Sequence, residues 1–169
     1  MSKRPLAANM LIDALTEFSR VIDALPAPGR GGAIGRLNPG IVTLLHITRD
    51  VETLRSTVTD EEIHPWFKEQ LAKDKTLSFE DAIKIFEGVS NRMIAYLEMM
   101  TPADMEHDSV PLGIQENAKL DLADTKIEYH VAQTAAHLFV HMGELSALAS
   151  LVAAPDLGLP GAMIATSGD

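Results

Sequence analysis

The chain contains no cysteine. Disulfides, thiolate ligands and a cysteine nucleophile are excluded, and any bound metal must be held by histidine, carboxylate or main-chain oxygen. The absence fits a reducing compartment, and a cytoplasmic protein is expected. Basic residues are also scarce: 14 Lys and Arg face 24 Asp and Glu, for a net charge of -10. No basic patch is visible. The short "SKR" near the N-terminus is its densest basic spot and reads as a solvated end, so neither a nucleic acid nor an anionic membrane surface is an expected partner. Asp13 and Glu17 interrupt the apolar run a signal peptide would need. No uncharged apolar run reaches the ~18 residues of a transmembrane span. Convincing strand alternation, internal repeats and low-complexity segments are absent as well.

What remains is helical periodicity. The 169 residues suggest one domain, 1–169, with a core of ordinary size. Leu11, Leu15, Phe18, Ile22 and Leu25 recur at steps of four and three until Pro26 and Pro28 stop the pattern. A second helix follows Asn38, an N-cap candidate with Pro39 at the first helical position. Its apolar face is Ile41, Leu44, Leu45, Thr48 and Val51. A charged connector and a short helix around Trp66 to Lys73 come next. Ser78, with Asp81 three residues on, opens a third helix in a shortened capping box. Its stripe is Phe79, Ile83, Phe86, Met93, Leu97 and Met100, and Pro102 lies just beyond its end. Met105 to Ala118 reads as a long loop. The fourth helix starts near Asp121 or Asp124 and runs to about Ala153, with the stripe Ile127, Val131, Thr134, Leu138, His141, Leu145, Leu148 and Val152. Four amphipathic helices of about 20 residues, with long connecting loops and a short Gly- and Pro-rich tail, predict an all-α four-helix bundle.

The fourth helix carries the chemistry. In "AAHLFVHMGEL", His137 and His141 stand four apart, about 40° from each other around the axis and near 6 Å along it. Two imidazoles so placed can close on one ion. The polar line runs on through His130, Thr134 and Glu144 on a helix otherwise made of Ala, Leu, Val, Phe and Met. Burying such groups unpartnered costs a few kcal/mol each, and a bound cation removes much of that cost. His46, mid-helix in "VTLLHIT", is the candidate third ligand. Three histidines with an open position is the arrangement of a catalytic metal. Asp50, one turn on, and Glu144 are candidates for orienting a ligand or for a base.

These residues resemble a known family. "HLFVHMGELSALASLV" is similar to the closing helix of the DinB-like (YfiT-like) superfamily, with its H-x-x-x-H pair. "NPGIVTLLHITRDVETL" resembles that family's second helix, where one histidine follows a capped apolar start. "LSFEDAIKIFEGVSNRMIAYLEMMTPADM" and "LDLADTKIEYHVAQTAAH" resemble its third helix and the start of its fourth. The likeness extends from about residue 7 to 153. It implies a DinB/YfiT-like bundle, often a homodimer, with a divalent metal, zinc or nickel, on His46, His137 and His141. Relatives include thiol-dependent transferases and isomerases that use a low-molecular-weight thiol. The resemblance therefore implies a metal-dependent transferase, isomerase or hydrolase acting on a small electrophilic substrate, with Glu144 and Asp50 auxiliary. The chain departs from the pattern at Met142 and Glu144, where the family often has Arg and Gln, and at Gln133, where many members have an extra histidine.

Plainer readings stand beside this one. The paired histidines can be core residues bonded to main chain, and His46 lies near the edge of its apolar stripe. His130, two turns from the pair, reads as a surface residue. His64 and His107 fall in connectors. "APGRGGAIGRLNPG" lacks the Gly-Lys-Ser/Thr of a phosphate loop and has no preceding strand, so it reads as a flexible connector, with Arg30 and Arg36 as its only candidates for an anion. Leu138 stands where a zincin has glutamate. A ferritin-like di-iron site would need two Glu-x-x-His units, and only Glu61 to His64 has that spacing. The alternative function is a non-catalytic metal-binding or ligand-sensing bundle, or a dimeric interaction protein.

Overall fold

The computed structural model describes residues 4–59, 62–63, 69, 77–108 and 126–153. Among them the chain is all-α, apart from two isolated bridges, Ile34 to Leu37 and Asp108 to Lys126. Four long helices, α1 (Leu6–Asp23), α3 (Gly40–Thr59), α4 (Phe79–Met99) and α6 (Ile127–Ala153), surround a common core. Two short ones, α2 (Ala27–Gly31) and α5 (Pro102–Met105), cap its ends. α1 packs chiefly on α6 and α3 on α4. α3 also reaches α6, and that contact builds the site.

The apolar periodicity of α1 puts Leu11, Leu15, Phe18 and Ile22 fully inside. Phe18 meets Phe86 of α4 with ring centroids 5.1 Å apart. Each such side chain contributes about 1.5–3 kcal/mol by leaving water. α4 opens as predicted: Ser78 Oγ accepts from Asp81 N–H, a cap worth about 1 kcal/mol. The same hydroxyl donates to the Asp81 carboxylate at 2.8 Å and, with Lys84, holds that carboxyl below its usual range.

Several expectations need correction. Pro26 and Pro28 end α1, but they also begin a helix, because proline suits the first helical turn, where no N–H is needed. The segment expected to be a flexible connector therefore contains α2. It then makes a tight turn at Gly35, whose φ of 58° favours glycine. Arg30 does not present itself to an anion. It donates to Leu25 O, pairs with Glu80 at 3.0 Å and lies over the Phe79 ring. Thr43 N–H donates to Pro39 O, so Pro39 and not Asn38 takes the capping position, α3 opens at Gly40, and Asn38 lines a groove. Gly40 is forced by packing: a Cβ there would overlap Leu25 Cδ2 and crowd the Gly29 carbonyl at 3.1 Å. The expected loop from Met105 begins inside α5, where Thr101 and Asp104 form a capping box and Met105 is buried. Hydrogen bonds from Thr101 hold the Asp104 carboxyl below its usual range. The first described helical residue of the fourth segment is Ile127, later than Asp121 or Asp124, which lie outside the described residues. So do His64, the segment Trp66 to Lys73 apart from the helical Glu69, and the tail from 154.

The back of α3 holds a buried charge network. Glu52 is fully buried and accepts two hydrogen bonds from Arg55, at 3.0 and 2.9 Å, and one from Arg92 of α4 at 3.4 Å. Arg55 also donates to the Glu62 carbonyl. Helical periodicity puts both residues on the apolar face of α3, since Glu52 follows Leu45 and Thr48 by seven and four residues and Arg55 follows Thr48 and Val51 by seven and four.

α6 is long and apolar enough, by length and composition, to cross a membrane. In the fold its Ile127, Val131, Leu138, Leu145 and Leu148 face the core, while Tyr129, Phe139 and Val140 stay exposed.

Candidate metal centre

α3 and α6 run antiparallel where they meet. His46 of α3 faces His137 and His141 of α6, while Leu54 and Thr57 share a groove with His130. One nitrogen from each of the three rings lies within 4.8 Å of the other two. His137 Nε2 is 2.9 Å from His141 Nε2 and 3.4 Å from His46 Nε2. Two nitrogens bound at about 2.0–2.1 Å to one ion stand roughly 2.9 Å apart at a right angle and roughly 3.3 Å apart at the tetrahedral angle. Both separations fall in the range that ligation requires.

The outer nitrogens set the tautomers. His141 Nδ1 is 2.7 Å from Glu144 Oε2, and His137 Nδ1 is 3.2 Å from Asp50 Oδ2. A carboxylate only accepts, so the His141 Nδ1 carries the proton and its Nε2 turns a lone pair inward, and Asp50, within ion-pair range of His137 Nδ1, favours the same tautomer there. Two lone pairs 2.9 Å apart repel unless a proton or a metal ion sits between them. Burial, followed by the nearby His141, pushes the His137 pKa below the ordinary imidazole value, although Asp50 opposes that shift. A proton on that ring is disfavoured, and a divalent cation meets the same demand without one. The donor set therefore fits a metal, and a His₃ cluster of this form can bind one.

His46 differs from the other two. Its Nδ1 faces Arg49 Nη2 at 3.3 Å, and its Nε2 also lies 3.5 Å from Asp50 Oδ2. An arginine N–H only donates, so Arg49 favours the His46 tautomer with its proton on Nε2. Arg49 was not singled out from the sequence. Its place three residues after His46, on the same helix face, was the available signal.

The cluster separates two grooves. One, of about 560 Å³, runs between α3 and α6 along Asp50, Thr53, Leu54, His130, Thr134 and His137. The other, of about 650 Å³, is lined by Asn38, Thr43, His46, Arg49 and His141. His46, His137 and His141 are brought together, with Asp50 and Glu144 behind them, as the sequence spacing anticipates. His130 corrects the expectation of a surface residue: it is only 4% exposed and lines the first groove with Leu54 of α3. Gln133 and Thr134 line the first groove. His107 is exposed in a separate groove with Tyr96 and Met99, and Arg36 is exposed beside the α2–α3 turn. Comparison of the chain with models of known protein families, with curated proteins and with solved structures finds no match.

Proposed function

We propose that the chain is a four-helix bundle of the DinB-like (YfiT-like) type that holds a divalent metal, zinc or nickel, on His46, His137 and His141. We assign it an enzymatic role on a small electrophilic substrate, with a low-molecular-weight thiol as co-substrate. One observation carries this reading. Imidazoles from two helices converge on a point through Nε2, and carboxylates behind two of them hold the tautomers that ligation needs. A divalent ion there would polarise a thiol or a water and lower its pKa, supplying a nucleophile to a chain that has no cysteine. Asp50 and Glu144 position the rings. Glu144, nearly half exposed, also stands where it can take up a proton. Three histidines leave room for a further ligand, and the two grooves reach the cluster from different sides. The exposed Tyr129, Phe139 and Val140 on α6 support a homodimer, which light scattering on the purified protein tests.

The test of the metal site is elemental analysis of untagged protein. Wild type should carry stoichiometric metal, and His46→Ala, His137→Ala and His141→Ala should each lose most of it, while His107→Ala should not. Equal metal content in all four variants would refute the assignment. The alternative is a bundle whose metal is structural. If chelation strips the metal with little loss of helicity, the site is an open, reactive one. If it unfolds the chain, the structural role holds.

A further inference from the structure

The groove between α3 and α6 has a polarity of its own. Among the described residues that line it there is no lysine or arginine. Its α3 wall places Asp50 and Thr53 one helical turn apart. The Thr53 hydroxyl donates to the Arg49 carbonyl at 2.8 Å. A hydroxyl has one proton, so what this oxygen can still offer is lone pairs. Asp50 uses Oδ2 toward His137 and His46, while its Oδ1 has only a long contact, 3.8 Å, with Arg49 Nε. This wall therefore presents acceptors. Leu54 beside them on α3, and Ala136 and Val140 of α6, supply apolar surface. A site of about 560 Å³ suits a small molecule.

We infer that this groove binds a small primary amine on a short hydrocarbon body. The ammonium group donates to Asp50 Oδ1 and Thr53 Oγ1, and the hydrocarbon lies on Leu54, Ala136 and Val140. An anionic ligand of the same size is disfavoured: Gln133 and Thr134 of α6 can donate to it, but the α3 wall offers lone pairs and the Asp50 carboxylate repels it. The net charge of -10 raises the local concentration of cations further. This assignment deepens the reading of the site by naming the chemistry of one of its ligands, but the acceptor wall is built by the fold and does not need the metal.

Nuclear magnetic resonance titration at constant ionic strength tests it, using butylammonium and pentanoate as probes, on metal-free and metal-loaded protein. Butylammonium should give saturable shifts at Asp50, Thr53, Ala136 and Val140 in both forms, and pentanoate should give none there. Thr53→Val keeps the shape and removes the acceptor, so it should weaken butylammonium about two- to tenfold with unchanged metal content. Asp50→Asn should weaken it more. Equal binding of pentanoate at these residues, undiminished amine binding in Thr53→Val, or no saturable shift would each overturn the proposal. Loss of the amine response with metal content intact sinks this inference alone. Absence of metal with the amine response intact sinks only the metal assignment.

Discussion

The outer nitrogens of the three histidines make opposite predictions for two neighbouring residues. Glu144 accepts from His141 Nδ1 at 2.7 Å, so it holds the ring in the ligating tautomer. Glu144→Gln keeps an oxygen but removes the charge, and should weaken metal binding about 10- to 100-fold, or roughly 1.4–2.7 kcal/mol. Arg49 acts the other way. Its Nη2 is 3.3 Å from His46 Nδ1. Adding the width of the ring and a metal–nitrogen bond puts its charge about 7 Å from a bound ion. At the dielectric of water a unit charge and a divalent ion at that distance repel by about 1 kcal/mol, and 0.1 M salt removes about half. Freeing the His46 tautomer adds a few tenths more, since the guanidinium is mostly exposed. Arg49→Met keeps the apolar stem and should therefore tighten metal binding by about 1 kcal/mol, roughly fivefold. Competition against a chromophoric chelator at fixed pH and salt measures both. A looser Arg49→Met protein, or an unchanged Glu144→Gln protein, would show that the outer nitrogens do not govern the site as argued.

Three further outcomes are expected. In the metal-free protein the His137 pKa lies below its unfolded value, so its contribution to stability is full above about pH 6.5 and is lost as pH falls through the depressed folded value; His137→Gln should flatten that part of a Tm-versus-pH curve, and an unchanged slope would contradict it. Glu52→Gln leaves Arg55 buried against a neutral group and should cost about 3–5 kcal/mol by urea denaturation, with a loss below about 1 kcal/mol counting against a buried network. Gly40→Ala should lower Tm, because its Cβ meets Leu25 and the Gly29 carbonyl, whereas Gly143→Ala, with open space at that position, should stabilise by about 0.5–1 kcal/mol; the reverse order would contradict the packing at the start of α3.

Which of these features the sequence discloses depends on whether the signal is local. Ser78 with Asp81 announces the start of α4, and the cap is present. The i, i+4 spacing of His137 and His141 puts both on one helix face, and the apolar setting of His46 nominated the third ring. Long-range effects stayed hidden. His130 shares the α6 stripe by its spacing to Ile127 and Thr134, but that it is only 4% exposed and lines a groove with Leu54 and Thr57 of α3 is a tertiary outcome. Glu52 and Arg55 stand on the apolar face of α3 by their spacing, but the Arg92 of α4 that shares the Glu52 carboxylate comes from forty residues away. Gly29 and Gly40 looked like loop flexibility, yet they permit the close approach of α2, α3 and Leu25. Prolines 26 and 28 gave the stop and concealed the restart, because the same fixed φ serves both.

The two polar clusters on α3 show what separates a structural group from a chemical one. At Glu52, Arg55 and Arg92 every charge faces an opposite charge or a carbonyl at hydrogen-bond distance. Such a cluster gains nothing from a ligand, and its removal registers in stability. Across the helix, Glu144 fixes a proton on the outside of His141 and Asp50 favours one on the outside of His137, so the inward nitrogens of α6 face one another as lone pairs. No rotation of those side chains can pair acceptor with acceptor. The fold has spent its hydrogen-bond donors on the wrong side of the rings for self-satisfaction and on the right side for a cation. A core-histidine reading requires each imidazole to find its partners within the protein. That requirement is met at the outer nitrogens, and His46 Nε2–H can serve His137 Nε2 at 3.4 Å. The 2.9 Å approach of the His137 and His141 inner nitrogens is left without a proton, and that contact locates the chemistry.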